Sequence, residues 1–125
     1  MTPFEGKGSL ISTSKIRGNT VYNTAGETLG SIDDLMIDKP SGRIAYALMS
    51  FGGFLGIGER YHPLPWAVLK YDKDKRGYVA PLTRETLMAA PHYGRDEEPD
   101  WDDRSYEERI HDYYKTDRYW ISPMP

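Results

Sequence analysis

Arg43-Ile44-Ala45-Tyr46-Ala47-Leu48-Met49-Ser50-Phe51 is the stretch that decides the fold. Read as a strand, it is apolar on both alternating faces: Ile44, Tyr46 and Leu48 on one, Ala45, Ala47, Met49 and Phe51 on the other. A strand that must be covered on both sides belongs in the middle of a sheet. Upstream lies Asp38-Lys39-Pro40-Ser41-Gly42, a turn in which Pro40 presets φ and Gly42 accepts a left-handed conformation. Before that turn, Leu29 to Asp38 carries the β-compatible run Ile32…Leu35-Met36-Ile37. Its doubled Asp33-Asp34 breaks the alternation and predicts a bulge or bend. Val21-Tyr22 and the turn Asn23 to Glu27, with Gly26 free to take positive φ, precede it.

Downstream, Gly52-Gly53-Phe54-Leu55-Gly56-Ile57-Gly58 holds too much glycine to continue the strand. Pro63 and Pro65 lack amide donors, so the segment after Arg60-Tyr61-His62 is a sheet edge or a departure from the sheet. Trp66 to Tyr71 returns to an extended pattern, Asp72 to Gly77 is a charged turn, and Tyr78-Val79-Ala80 is a last short strand. Thr83 caps a short helix from Arg84 to Ala90, which Pro91 stops. Short strands divided by turn signals describe a mainly β fold, a small sheet or barrel.

The 125 residues fit one domain, and their charges are divided unevenly. Residues 1–90 carry a balance of +2 and residues 91–125 a balance of −5, making the net −3. The second segment also holds seven of the sixteen aromatic residues, including Tyr106, Tyr113, Tyr114, Tyr119 and Trp120. Disordered tails are poor in aromatics, so this one is expected to dock. Ser105-x-x-Glu108 has capping-box form, and Tyr106, Ile110 and Tyr113 follow at helical spacing, predicting a helix near 103–115. The organisation expected is a leader over 1–9, a core domain over 10–92 and an acidic, aromatic extension over 93–125.

Several function classes fall away. An acidic chain does not suit sequence-independent nucleic-acid binding. With no cysteine, disulfides, thiolate zinc sites and thiol nucleophiles are excluded. The longest uncharged core stretch, Ile44 to Gly58, contains four glycines and falls short of the roughly 20 apolar residues a spanning helix needs. Met1 to Gly8 lacks the pattern of a secretory signal, so cytoplasmic residence is expected.

The motifs that invite chemistry are incomplete. Gly56-x-Gly58 is followed by Glu59 and by two prolines, not by the lysine and helix of a phosphate loop. Asp72-x-Asp74-x-x-Gly77 begins like a calcium loop but has Arg76 and Thr83 at ligand positions. His62, His92 and His111 have no metal-ligand spacing, and Asp33-Asp34 would point to opposite faces of a strand. The carboxylates of the extension read as a solvated helix face. No catalytic residue, metal site or cofactor is expected.

The core segments Gly18 to Asn23, Gly26 to Gly30, Asp34 to Asp38, Ser41 to Tyr46, Ser50 to Glu59, Pro63-Leu64-Pro65-Trp66 and Leu82 to Pro91, in that order, resemble the PRC-barrel domain. That domain occurs in the cytoplasmic part of the photosynthetic reaction-centre H subunit and at the C-terminus of a ribosome-maturation factor. The resemblance implies a small β-barrel of about six short strands, followed here by the short helix and the helical acidic extension. It also implies a non-catalytic interaction or assembly module, in the manner of the stand-alone bacterial branch. Its partner would be a protein of unknown identity or a second copy, giving a homodimer. The expected contact surface is Phe54, Leu55 and Ile57 on the glycine loop, with Tyr106, Ile110, Tyr113, Tyr119 and Trp120 in the extension. Two alternatives follow: an accessory to reaction-centre assembly or electron transfer, and a small-molecule-binding barrel.

Overall fold

The computed structural model describes residues 9–52 and 59–121, so the expected contact residues Phe54, Leu55 and Ile57 lie outside the described residues. In chain order the elements are α1 (Thr13–Ile16), β1 (Thr20–Tyr22), β2 (Thr28–Ile37), β3 (Ile44–Gly52) and β4 (Glu59–Pro65). A 3-10 turn (Trp66–Val68), β5 (Lys70–Asp72), β6 (Gly77–Val79), α2 (Arg84–Ala89), β7 (Tyr93–Gly94) and α3 (Arg104–Tyr114) follow. The seven described strands form one sheet in the order β5-β6-β1-β2-β3-β4-β7.

β3 holds the middle of this sheet, flanked antiparallel by β2 and β4. Ala45 to Met49 are buried without a break, which is what two apolar faces demand. Ala47 and Met49 join Val21, Ile32, Leu64 and Leu87 in the main core. Ala45 and Tyr46 belong to a second cluster closed by Ile110 of α3. The extension therefore supplies the cover for the outer side of the central strand.

Local chemistry explains the joints. The register of β2 against β3 slips between Ile32 and Asp34, the bulge that the paired aspartates predict. The Asp38 carboxylate accepts from the Ser41 amide and hydroxyl, and Gly42 takes φ 76° to bring the chain into β3. Gly30 is a close-approach position, because a Cβ there would overlap the Ser50 carbonyl oxygen of the neighbouring strand. Thr83 accepts from the Thr86 amide as the N-cap of α2.

The expected barrel of about six short strands is corrected in two ways. There are seven described strands, with β2 and β3 running to 10 and 9 residues, and the sheet is not closed. The obstacle to closure is in β4: its outer edge pairs with β7 only at Arg60 and Tyr61. Beyond them Pro63 and Pro65 offer no amide donor to a further strand, so the far edge at β5 has nothing to pair with there.

Candidate functional site

The structure places a buried polar cluster where β3 meets the extension. Its helix starts at Arg104, capped by Asp103, whose carboxylate accepts from the Ser105 amide. The capping box expected at Ser105 thus gives way to the aspartate two residues earlier, an equally favoured capping type already in extended backbone. At the other end Lys115 adopts φ 58°, and the Thr116 amide bonds the His111 carbonyl. This left-handed cap turns the chain back, so Thr116, Tyr119 and Trp120 return to the helix they have just left.

Four residues apart on one face of α3, Glu107 and His111 are 2% and 3% exposed. Both reach the Tyr46 hydroxyl of β3: it donates to Glu107 Oε1 at 2.8 Å and lies 2.8 Å from His111 Nε2. The Tyr119 hydroxyl also donates to Glu107 Oε1, at 2.7 Å, and Arg104 donates to both Glu107 Oε2 and the Tyr119 hydroxyl. With His111 neutral, the proton count sets the remaining roles. Since Tyr46 spends its one hydrogen on the carboxylate, His111 Nε2 donates to Tyr46 and His111 Nδ1 accepts from Thr116 Oγ1 at 2.8 Å.

Aromatic rings wall the cluster in. Trp101 stacks on Tyr46 at 6.0 Å between centroids, Tyr119 meets it edge-on at 5.8 Å, and the Arg104 guanidinium sits 4.3 Å over Trp120. Burial, then the Glu107 carboxylate, pushes the Tyr46 hydroxyl far above its ordinary titration range, so it stays protonated. The same two causes hold Tyr119 near 12. Burial pulls His111 below its ordinary 6.5, with Glu107 opposing and Arg118 adding to the effect. The reading of the extension's carboxylates as a solvated face fails at Glu107. Its position beside Ile110 and His111 was the signal, since all three fall on one helical stripe.

Of the other expected contact residues, Ile110 is fully buried against Ala45 and Tyr46. Tyr113 donates to the Thr86 carbonyl of α2, and Tyr106 packs edge-on against Trp101 and Tyr93. Tyr106, Tyr113, Tyr119 and Trp120 are half-buried and face their own chain's elements.

Two further features lie apart. His62 on β4 is 1% exposed between the rings of Phe51 and His92, and its Nδ1 has no hydrogen-bond partner among the described residues. Burial first, and His92 second, lower its pKa to about 4. A histidine whose folded pKa is depressed stabilises the fold above its unfolded value of 6.5 and loses that contribution as pH falls towards 4. Global unfolding free energy should therefore drop by about 3 kcal/mol across that window, measured by denaturant titration. His62→Leu should flatten the drop.

The second feature is an apolar groove of about 430 Å³ between the N-terminal segment and the sheet. Leu10, Ile11, Ile44, Trp66, Leu69 and Tyr71 form most of its wall, and Leu10 is 90% exposed. Among the described residues no cluster of three or more His, Asp or Glu side chains suits a metal ion, and no helix is long and apolar enough to cross a membrane.

A family model described as the PRC-barrel domain matches residues 9–87. The chain belongs to the PRC-barrel family. No curated protein matches it. The PRC-barrel match runs from the approach to α1 into α2 and includes the groove walls and Tyr46. Glu107, His111, Tyr119 and the rest of the extension fall beyond it. In this PRC-barrel chain, then, the polar cluster joins one tyrosine of the family domain to a helix the family match does not cover.

Proposed function

We propose that this PRC-barrel chain is a non-catalytic, cytoplasmic interaction module, and that its first partner is a second copy of itself. The observation that carries this reading is the apolar groove, which leaves Leu10 and Ile11 in solvent beside Ile44 and Trp66. Contiguous apolar surface of this kind is characteristic of contact sites. Charge supports a second copy as occupant. The groove rim carries Lys15, and each chain offers the exposed carboxylates of residues 96–103 as a counterpart. An isologous dimer would pair the two patches twice.

The buried ionisable side chains favour a structural over a chemical role. Both Glu107 oxygens accept hydrogen bonds, and both His111 nitrogens are engaged, so neither presents a free group to a substrate. A small-molecule reading has one observation of its own, that the groove falls within the roughly 300–1,000 Å³ range of ligand sites.

Paired substitutions test the proposal. Leu10→Ser with Ile11→Ser should reduce the light-scattering mass from dimer to monomer while leaving the circular dichroism spectrum unchanged. Phe54→Ser with Leu55→Ser tests the glycine loop in the same way. A dimer unaffected by the first pair would remove the groove from the contact, and a monomeric wild type would end the self-association reading.

A further inference from the structure

His111 ties three elements together, and its burial favours the neutral ring. From α3 it reaches β3 through the Tyr46 hydroxyl and the returning chain through Thr116 Oγ1, each at 2.8 Å. The Trp120 ring closes over it edge-on at 5.4 Å. We propose that the His111–Tyr46–Glu107 cluster is a proton-operated latch: neutral His111 holds the C-terminal extension on β3, and its protonation releases the extension while the sheet stays folded.

The bonding scheme explains the choice of state. Tyr46 gives its only hydrogen to Glu107, leaving a lone pair for the Nε2 hydrogen of His111. Nδ1 is then a bare acceptor, supplied by the Thr116 hydroxyl. A second ring proton would force Thr116 to reverse its hydrogen and would place a full charge in a site 3% exposed. The charges that act on the ring come from several directions. Glu107 on the same helix favours the proton, as do the Thr116 and Asp117 backbone groups, whereas Arg118 opposes it. Tyr46 from β3 and Tyr119 from the returning chain are held protonated and bring no charge. Glu107 is already shared among Tyr46, Tyr119 and Arg104, so it has little acceptor capacity left for an imidazolium.

The latch has a separate unit to release. Among the described residues of the extension, Ile110 is the one fully buried aliphatic side chain, and Ala45 and Tyr46 are what it covers. The main core of Val21, Ile32, Met49, Leu64 and Leu87 lies in another cluster. Opening would uncover β3 and withdraw the partly buried Tyr114 from the flank of that core, whose fully buried side chains would stay together. A mobile element of low local stability beside a cooperative core is how such switches are built.

Hydrogen exchange on the whole chain tests this between about pH 8 and pH 5, where histidine is the side chain that ordinarily titrates. After correction for intrinsic rates, protection of residues 104–121 should fall by up to about tenfold per pH unit once the pH drops below the free-histidine value. It should be lost while the β2 and β3 amides, which weaken as His62 titrates, remain the better protected. His111→Gln, which donates to Tyr46 but cannot take up a proton, should remove the slope. Should that variant lose the extension at every pH, the wild type still decides, because the His111 imidazole followed by NMR must titrate at the same midpoint as the exchange. Flat protection in the wild type would overturn the latch. So would an unchanged slope in His111→Gln, or a His111 midpoint distinct from that of release.

Discussion

Replacing Glu107 by alanine is expected to free the C-terminal helix from β3 and leave the seven-stranded sheet folded. The carboxylate accepts from Tyr46 and Tyr119 hydroxyls and from Arg104, so its loss takes the acceptor from the buried Tyr46 hydroxyl and from the half-buried Tyr119 hydroxyl at once. Hydrogen bonds to a charged group contribute about 1.5–3 kcal/mol each, so losing those from Tyr46, Tyr119 and Arg104 together outweighs the roughly 1.5–3 kcal/mol that burying the aliphatic anchor Ile110 returns. Residues 104–121 should lose their exchange protection, and Trp101 and Trp120 should shift to solvent-exposed fluorescence. Glu107→Gln keeps an acceptor and the shape, and should lose less. An extension that remains protected in Glu107→Ala would show that its aromatic contacts suffice alone.

Ile32→Ala should act on the other cluster and on the whole domain. Ile32 is fully buried at the bulge of β2, in the same core as Val21, Met49, Leu64 and Leu87. The bulge fixes its position, so the neighbours have little freedom to collapse into the space left. Truncations of this size cost about 2–5 kcal/mol, and the loss here is expected towards the upper part of that range. A denaturant titration would show the midpoint falling with its slope unchanged, and exchange would rise across all long strands together. The contrast with Glu107→Ala, local release against global destabilisation, follows from the different buried residues of the two clusters, which the partly buried Tyr114 bridges.

The sequence made the centre of the sheet legible because local chemistry and burial agree there. Ala45 to Met49 are apolar at every position and are buried at every position. The turns at Asn23–Glu27 and Asp38–Gly42 carry their glycines where positive φ is needed. Asp33-Asp34 announced the slip in β2. Openness of the sheet was not legible, because closure depends on which distant edges meet, although Pro63 and Pro65 already carried the reason against it. β7 is two residues long and leaves no periodic signal.

The candidate site was half legible. Tyr106, Ile110 and Tyr113 gave the docking helix its apolar side, and Ile110 is the residue driven into Tyr46. Glu107 was hidden by its type: a carboxylate in an acidic segment reads as solvated until Tyr46, sixty-one positions away, is placed against it. His111 was hidden likewise, since its partners are Tyr46 and a threonine brought back by the left-handed Lys115.

Sedimentation velocity of the intact chain tests the interaction reading most directly. At micromolar concentrations the account predicts a species of about twice the 14.3 kDa chain mass that dissociates on dilution and weakens with added salt, since salt screens the attraction between Lys15 and the acidic segment. A single species at the monomer mass, unchanged by concentration and salt, would contradict it.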